Sequence, residues 1–408
     1  MKCRHCEAAL KNIFVDLGFS PPSNNYLNKT DLKAEEKYLP LVVNVCHKCF
    51  LVQTEDYNSA DDLFSNDYAY FSSTSKSWLN HAKEYCETII KKINLLSSSF
   101  VVEIASNDGY LLKNFIEKKI PCIGVEPTLS TAKIAEKKGI PVIKDFFGFN
   151  LSKQIKKNYG SADLICGNNV YAHVPNINDF TSGLKNLLKP SGTITLEFPH
   201  LFNLIKYKQF DTIYHEHFSY LSLITVQKIF KANGLKIYDV TELGTHGGSL
   251  RVFGCHNDYA ISVSENVKKI INMEKQFGLN KIRSYRHFQD KVEKIKFQFL
   301  NFLIKARLKG KLVCGYGAAA KGNTLINYSG VSSDLVSFVC DASKSKQNKY
   351  LPGSHIPVLP PSALKKFKPD FVIIFPWNIK EEVIEQNKFI YNWGGKFVTF
   401  IPHMKIYS

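Results

Sequence analysis

No stretch of this 408-residue chain holds the eighteen or so consecutive apolar residues that a bilayer-crossing helix needs. Its first residues, Met1-Lys2-Cys3-Arg4-His5-Cys6, lack the apolar core of a secretory signal. A membrane partner and a secreted form are therefore not expected, and the chain reads as cytoplasmic. No repeat of fixed period and no low-complexity tract is visible, which sets aside solenoids and long disordered linkers. Acidic residues are short: 36 Asp and Glu face 53 Lys and Arg, a formal net charge of +17. Such a surplus could draw nucleic acid, an anionic membrane or a phosphorylated small molecule. The lysines, however, recur along helical stretches such as Ala132 to Lys138 and Lys268 to Arg307, as on solvated helix faces, so nucleic acid is not the expected partner. Missing too is any G-x-G-x-x-G after the first apolar strand of the central region, which counts against a pyrophosphate cradle and hence against NAD there.

Cysteine, by contrast, is plentiful and patterned. Cys3 and Cys6, then Cys46 and Cys49, form two C-x-x-C pairs. Each pair puts two thiolates on one tight turn, and two turns complete the four-sulfur tetrahedron that Zn²⁺ favours. The loop between them is longer than the roughly 15–20 residues of common zinc ribbons. Four protein ligands leave no open coordination position, so the expected zinc is structural. Ordinary buried cysteines are the competing reading. The other six, Cys86, Cys122, Cys166, Cys255, Cys314 and Cys340, lie mostly in apolar stretches and read as small core residues.

From Phe100 to Asp211 strands and helices alternate. Val101–Ala105 is a short apolar strand, Ser106-Asn107-Asp108-Gly109 a turn, and Tyr110 to Lys118 an amphipathic helix. A second strand, Cys122 to Glu126, ends in an acid about twenty residues on, where dinucleotide folds carry their ribose-binding acid. Further strands are expected at Pro141–Ile143, Ala162–Cys166 and Gly192–Glu197. The pattern implies a doubly wound sheet with its ligand at the carboxyl ends of the strands. Small residues and an acid at the first turn, Glu126 after the second strand, and Asp145-Phe146-Phe147 after the third suit a cofactor with a ribose and an adenine but no phosphate. S-adenosylmethionine fits that description. Alternatively, Glu126 before Pro127 merely ends a strand.

Five segments then carry a specific resemblance: Glu103 to Leu112, Gly124 to Thr128, Asn168 to Pro175, Tyr214 to Tyr220, and Gly315 to Thr324. Together they resemble the sugar C-methyltransferase family that acts on nucleotide-linked deoxysugars, over nearly the whole chain. The resemblance implies an α/β chain of three parts: an N-terminal zinc-binding module (1–62), a central Rossmann-like S-adenosylmethionine-dependent methyltransferase domain (63–258), and a C-terminal Rossmann-like α/β domain (259–408). It implies a cofactor pocket of Glu103, Ala105, Asn107, Asp108, Glu126, Pro127, Asp145, Phe146, Asn168 and Asn169. Within it Glu126 would hold the ribose hydroxyls, Asp145 and Phe146 would lie against the adenine, and Asn107, Asp108, Asn168 and Asn169 would line the methionine end. Ala105 departs from the glycine that relatives often carry, which narrows the turn.

Forming a carbon–carbon bond needs a carbanion equivalent, here the enolate made by removing a proton alpha to a sugar ketone. Histidine can be that base near neutral pH. The resemblance assigns His217 as the base, with Glu216 orienting or polarising it and Tyr214 or His173 hydrogen-bonding the developing oxyanion. As a bare pattern, His215 and His217 could instead ligate a metal or be buried polar residues satisfied by backbone. Tyr68, Tyr70 and Ser73, in an aromatic and hydroxyl cluster, suit contact with a sugar or base, or packing between domains. Gly244 to Arg251 offers mobile backbone beside a cation and either closes on substrate through Arg251 or connects strands. The Gly315-Tyr316-Gly317 turn could present amides and Lys321 to a phosphate; with Asn323, Lys321 is expected to meet the nucleotide diphosphate of the substrate. The partner is thus a nucleotide-diphosphate deoxysugar, thymidine-linked in first place, met by a monomer and methylated at carbon 3 next to a 4-keto group. A nicotinamide-dependent sugar oxidoreductase and a zinc-containing nucleic-acid-binding protein are the alternatives.

Overall fold

A computed structural model describes residues 1–55 and 72–408. The chain forms two compact units, each made of separated stretches: Met1–Asn12, Val45–Leu201 and Phe218–Ser284 in the first, and Ile13–Asn44, Phe202–His217 and Tyr285–Ser408 in the second. An antiparallel ribbon, β1 (Ile13–Ser20) with β2 (Leu39–Val45), opens the second unit. Phe14 of β1 stacks on Phe288 with centroids 4.4 Å apart and meets Tyr285 edge-on at 5.9 Å. These aromatic pairs fasten the ribbon to the long helix Phe288–Leu308, each adding about 0.5–1.5 kcal/mol beyond simple burial.

In the first unit β3 (Val52–Thr54) pairs with β9 (Ser219–Tyr220). The main sheet comprises β4 (Val101–Ile104), β5 (Cys122–Val125), β6 (Val142–Ile143), β7 (Ala162–Asn168), β8 (Leu188–Pro199), β10 (Leu235–Leu243) and β11 (Ser249–His256), in the order β10-β11-β8-β7-β4-β5-β6. β4 to β8 run parallel, and β11 turns back antiparallel on β8. The continuous apolar runs follow from burial on both faces: Val101 packs into one half of the core, Val102 and Ile104 into the other. Because β5 and β7 flank β4, the connections leave in opposite directions there, and a crevice opens at the carboxyl ends of β4 and β7. Helix starts are written locally, with Ser75, Asn176 and Ser222 accepting the backbone N–H of Trp78, Asp179 and Thr225. The fully buried Glu274 adds a distant cap, accepting from Leu223 N at 2.6 Å, Ile224 N at 2.8 Å and His200 Nε2 at 2.6 Å.

The remainder of the second unit is a sheet of β12 (Val313–Tyr316), β13 (Val339–Cys340), β14 (Val358–Leu359), β15 (Phe371–Ile374), β16 (Lys396–Thr399) and β17 (Lys405–Tyr407). Its order is β14-β13-β12-β15-β16-β17, parallel except for β17. Counted from β12 that is 3-2-1-4-5-6, the doubly wound order of dinucleotide folds. Among the described residues no helix is long and apolar enough to cross a membrane.

Candidate functional sites

The four sulfurs of Cys3, Cys6, Cys46 and Cys49 all lie within 4.8 Å of one another. Cys3 to Cys49 and Cys6 to Cys46 are each 3.5 Å apart. A tetrahedron with Zn–S bonds of about 2.3 Å needs sulfurs roughly 3.8 Å apart, so the donor set fits zinc. Its support is already in place: buried Gln53 donates through Nε2 to Cys3 Sγ at 3.2 Å, and Lys48 N points to Cys46 Sγ at 3.4 Å. Such contacts orient thiolates and temper their charge. Among the described residues no other group of three or more His, Cys, Asp or Glu side chains is close enough to share an ion. His215 and His217 therefore do not form a second centre there.

At the carboxyl end of β4 the chain turns through Ala105 (φ 58°), Asn107 (φ 49°) and Gly109 (φ 75°), three left-handed residues in five. Glu126, at the end of β5 and 5% exposed, pins this turn. Its Oε2 accepts from Asn107 N and its Oε1 from Thr128 N, each at 2.9 Å, across Pro127. Each oxygen keeps a second lone pair. Burial lifts the Glu126 pKa against these two N–H donors. Glu103, fully buried on β4, is raised well above the usual carboxyl range by burial, then by the charges of Glu126 and Asp108. Asn107 Oδ1 accepts from Ser72 N at 2.9 Å, and Asp108 Oδ2 accepts from the Ser73 backbone and hydroxyl. Ser73 thus lies against the turn that follows β4. Tyr68 and Tyr70 lie outside the described residues.

Further along this edge, Asn168 Nδ2 reaches Tyr110 Oη at 3.4 Å and Asn169 Nδ2 meets His246 Nε2 at 2.9 Å. Buried and without a hydrogen-bond partner among the described residues are Asp108 Oδ1, Asn168 Oδ1 and Asn169 Oδ1. Asp145, whose Oδ1 accepts from Phe146 N at 2.7 Å, is exposed, and Phe146 presents a ring that is 39% exposed. A ligand with ring hydroxyls, an aromatic base and an ammonium matches this pattern of acceptors and exposed aromatic surface.

Beside Asn168 in register sits Glu197, which faces Arg251 across β11. Glu197 is fully buried and takes Arg251 Nη2 at 2.5 Å, His81 Nε2 at 2.9 Å and Thr245 Oγ1 at 2.8 Å. Burial pushes its pKa up, but the His81 hydrogen bond and the Arg251 charge overcome this and hold it at about 2. Trp78 stacks on His81 at 5.0 Å and on Tyr110 at 5.9 Å, with His246 edge-on at 5.3 Å. Sequence reasoning missed Trp78, His81, Glu197 and His246. The only signals were the aromatic helix after Ser75 and the glycine-rich stretch before Arg251. His173 stands in the turn Tyr171–His173, its N–H on Val170 O at 2.8 Å.

The Tyr-His-Glu-His segment belongs to the second unit. Its entry turn, Phe210–Thr212, is held by Trp377 Nε1 donating to Asp211 Oδ2 at 2.6 Å, and Ile213 O accepts from Thr324 Oγ1 at 2.7 Å. His217 Nδ1 lies 2.9 Å from Thr212 O. A carbonyl only accepts, so Nδ1 carries the hydrogen and the lone pair of the neutral ring sits on Nε2. The Tyr214 ring is 4.0 Å from the His217 ring, tilted by 36°. His215 Nε2 donates to Pro40 O at 3.2 Å, and burial keeps its pKa below the ordinary value. Glu216 is 1% exposed, and its Oε1 accepts from Asn24 Nδ2 at 3.1 Å. Burial raises the Glu216 pKa, opposed by its own backbone N–H and by Asn24. Lys321 Nζ donates to Asn378 Oδ1 at 2.9 Å and lies 4.4 Å over the Trp377 ring. Burial draws its pKa to about 8 against the attraction of Asp211. The Asn323 carboxamide donates to Ser23 O at 2.6 Å.

Comparison with known proteins gives three consecutive family matches: a zinc binding domain over residues 3–64, a methyltransferase domain over 78–240, and a C-methyltransferase C-terminal domain over 244–402. C-methyltransferase NovU of Streptomyces niveus is 33% identical over 407 residues, covering 100% of this chain and 97% of the relative. Among solved structures, a SAM-dependent methyltransferase from Anabaena variabilis aligns at 16% identity over 49% of this chain and 96% of its own, with a TM-score of 0.38. Magnesium protoporphyrin IX methyltransferase from Synechocystis, solved with bound SAH, aligns at 14% identity over 44% and 83%, with a TM-score of 0.36.

Proposed function

The chain belongs to the S-adenosylmethionine-dependent C-methyltransferase family, with zinc at its four cysteines, and on that premise we propose that it methylates carbon 3 of a nucleotide-diphosphate 4-keto-deoxysugar. S-adenosylmethionine, when bound, supplies an electrophilic methyl group. Everything else is asked of the chain. Glu126 offers its remaining lone pairs to ribose hydroxyls, Phe146 a ring face to adenine, and Asp108, Asn168 and Asn169 their open acceptors to an ammonium. The observation that carries the reading is the His217 tautomer. With Nδ1–H fixed on Thr212 O, Nε2 can take the proton alpha to the ketone, and the backbone carbonyl steadies the imidazolium that results. Tyr214, or His173, is assigned the hydrogen bond to the enolate oxygen. Glu216 contributes a buried carboxyl beside this base.

Lys321 and Asn323 stand on the first helix of the dinucleotide-type sheet, with Lys321 Nζ over the Trp377 ring, which supports assigning the substrate's diphosphate, thymidine-linked in the first instance, to that unit. The same strand order is what favours a nicotinamide oxidoreductase; family membership decides for methyl transfer. A monomer in the cytoplasm completes the proposal. The test is His217→Asn in full-length, zinc-loaded protein. Solvent-deuterium exchange at sugar carbon 3 and methyl transfer should both fall by about 10²–10⁴, while S-adenosylhomocysteine affinity stays within about twofold. Full activity in the variant would refute the histidine base.

A further inference from the structure

Glu216 is the one acidic member of the loop, and what holds it comes from far away in sequence. Asn24 lies in a short segment that begins with Pro21-Pro22, whose fixed φ angles stiffen the approach. Two anchors then clamp that segment to one helix and the loop before it. Asn323, 1% exposed on the helix Ala320–Ser329, donates Nδ2 to Ser23 O at 2.6 Å. Tyr26 Oη donates to Ala318 O at 2.5 Å. Between these anchors Asn24 directs its carboxamide nitrogen to Glu216 Oε1 at 3.1 Å. The same helix takes hold of the loop a second time, through Thr324 Oγ1 on Ile213 O at 2.7 Å.

We propose that Asn24, fixed by Asn323 through the Ser23 carbonyl, is a positioning residue that sets the aim and the charge of Glu216. This rests on the reading of Tyr214–His217 as the acid–base loop. Nδ2 of a carboxamide can only donate, so it favours the ionised carboxylate over the acid. The other titratable groups near Glu216 are Tyr26, whose phenol is backed by Lys346 and Asp341, and Tyr214, His215 and His217 on its own loop. Lys346 Nζ donates to Ala318 O at 2.7 Å, while the donors that favour the Glu216 carboxylate are its own backbone N–H and, from Asn24, both the carboxamide and the backbone.

The experiment compares Asn24→Ala and the isosteric Asn24→Asp with the parent, all full-length and zinc-loaded, with melting curves to confirm folding. The Glu216 titration is followed by ¹³C NMR of glutamate-labelled protein, its resonance assigned by loss in Glu216→Gln. Losing a hydrogen bond to a charged group should raise the Glu216 midpoint by about one pH unit in Asn24→Ala. It should rise further in Asn24→Asp, where two carboxyls share the space. The acidic limb of deuterium exchange at sugar carbon 3 should move upward by the same amount. An unchanged Glu216 midpoint in both variants overturns the proposal. So does a rate that falls equally at every pH, which would mark a merely structural contact. Absence of deuterium exchange in the parent protein would refute the ketosugar reading instead, and the NMR titration would still decide the role of Asn24.

Discussion

Arg251 offers the sharpest test of how the methyltransferase sheet is held together, because two roles for it make opposite predictions. Its Nη2 lies 2.5 Å from Glu197 Oε2, the two side chains being 8% and 0% exposed, and its guanidinium covers the Tyr85 ring at 4.3 Å. Arg251→Met keeps the apolar stem and removes the charge. Glu197 is then left buried with His81 and Thr245 as its remaining partners, and breaking a buried pair on one side costs about 3–5 kcal/mol. At roughly 2–4 °C per kcal/mol for a unit of this size, the transition should fall by about 6–20 °C. Differential scanning calorimetry is the assay, since it separates transitions of different units. Adding Glu197→Gln to Arg251→Met removes the stranded charge and should recover at least half of the loss. Acid supplies an independent arm. The Glu197 pKa in the fold is about 2 against an ordinary 4.5. Its contribution is therefore complete above about pH 4.5 and is lost as pH falls toward 2, about 3 kcal/mol in all. The parent should lose stability through that window, and Glu197→Gln should be flatter there. A melting loss under 2 °C in Arg251→Met, with weakened substrate binding, would sink this account and make Arg251 a substrate ligand.

Two further outcomes are expected. Ala105 is held at φ 58°, which costs a residue with a Cβ about 1–2 kcal/mol, while glycine gives back about 0.5–1 kcal/mol in chain entropy. Ala105→Gly should therefore raise the melting temperature by about 1–3 °C, and a fall would show that the alanine methyl is needed for packing. Gln53, 0% exposed and donating to Cys3 Sγ at 3.2 Å, supports the metal site from behind. Gln53→Leu should weaken zinc retention by about 10–100-fold in competition with a chromophoric chelator, and unchanged retention would remove it from the site.

The parts of this molecule legible in its sequence are those whose chemistry is local. Two C-x-x-C turns need only their own spacing to assemble thiolates, and the strands at Val101, Cys122, Val142, Ala162 and Gly192 are marked by continuous apolar runs flanked by turns. Glu126 is legible because it stands at the end of the second strand, about twenty residues on, where dinucleotide folds carry their ribose-binding acid. Glu197 looked the same as any strand residue. Its meaning lies in Arg251, His81 and Thr245, which arrive from β11, a helix and a loop, and no periodicity announces such a meeting. Glu274, capping a helix fifty residues upstream while holding His200, was hidden for the same reason.

The loop from Tyr214 to His217 shows the most consequential version of this. By sequence it follows the last parallel strand of the methyltransferase sheet, yet it is packed with the C-terminal fold, through Trp377 on Asp211 and Thr324 on Ile213 O. The proposed role of His217 asks that Nδ1 be fixed, and Thr212 O, at the end of the preceding turn, lies 2.9 Å from it. The contacts that hold that turn come from residues more than a hundred positions later in the chain. The Gly315 to Thr324 segment is thus more than a candidate anion loop. Gly322 has no room for a Cβ, which would meet Phe375 at 2.8 Å, and the two residues that follow it, Asn323 and Thr324, reach Ser23 O and Ile213 O. Crowding at Gly322 would therefore act on the Tyr214–His217 loop through its neighbours Asn323 and Thr324, without touching any of the loop's four residues.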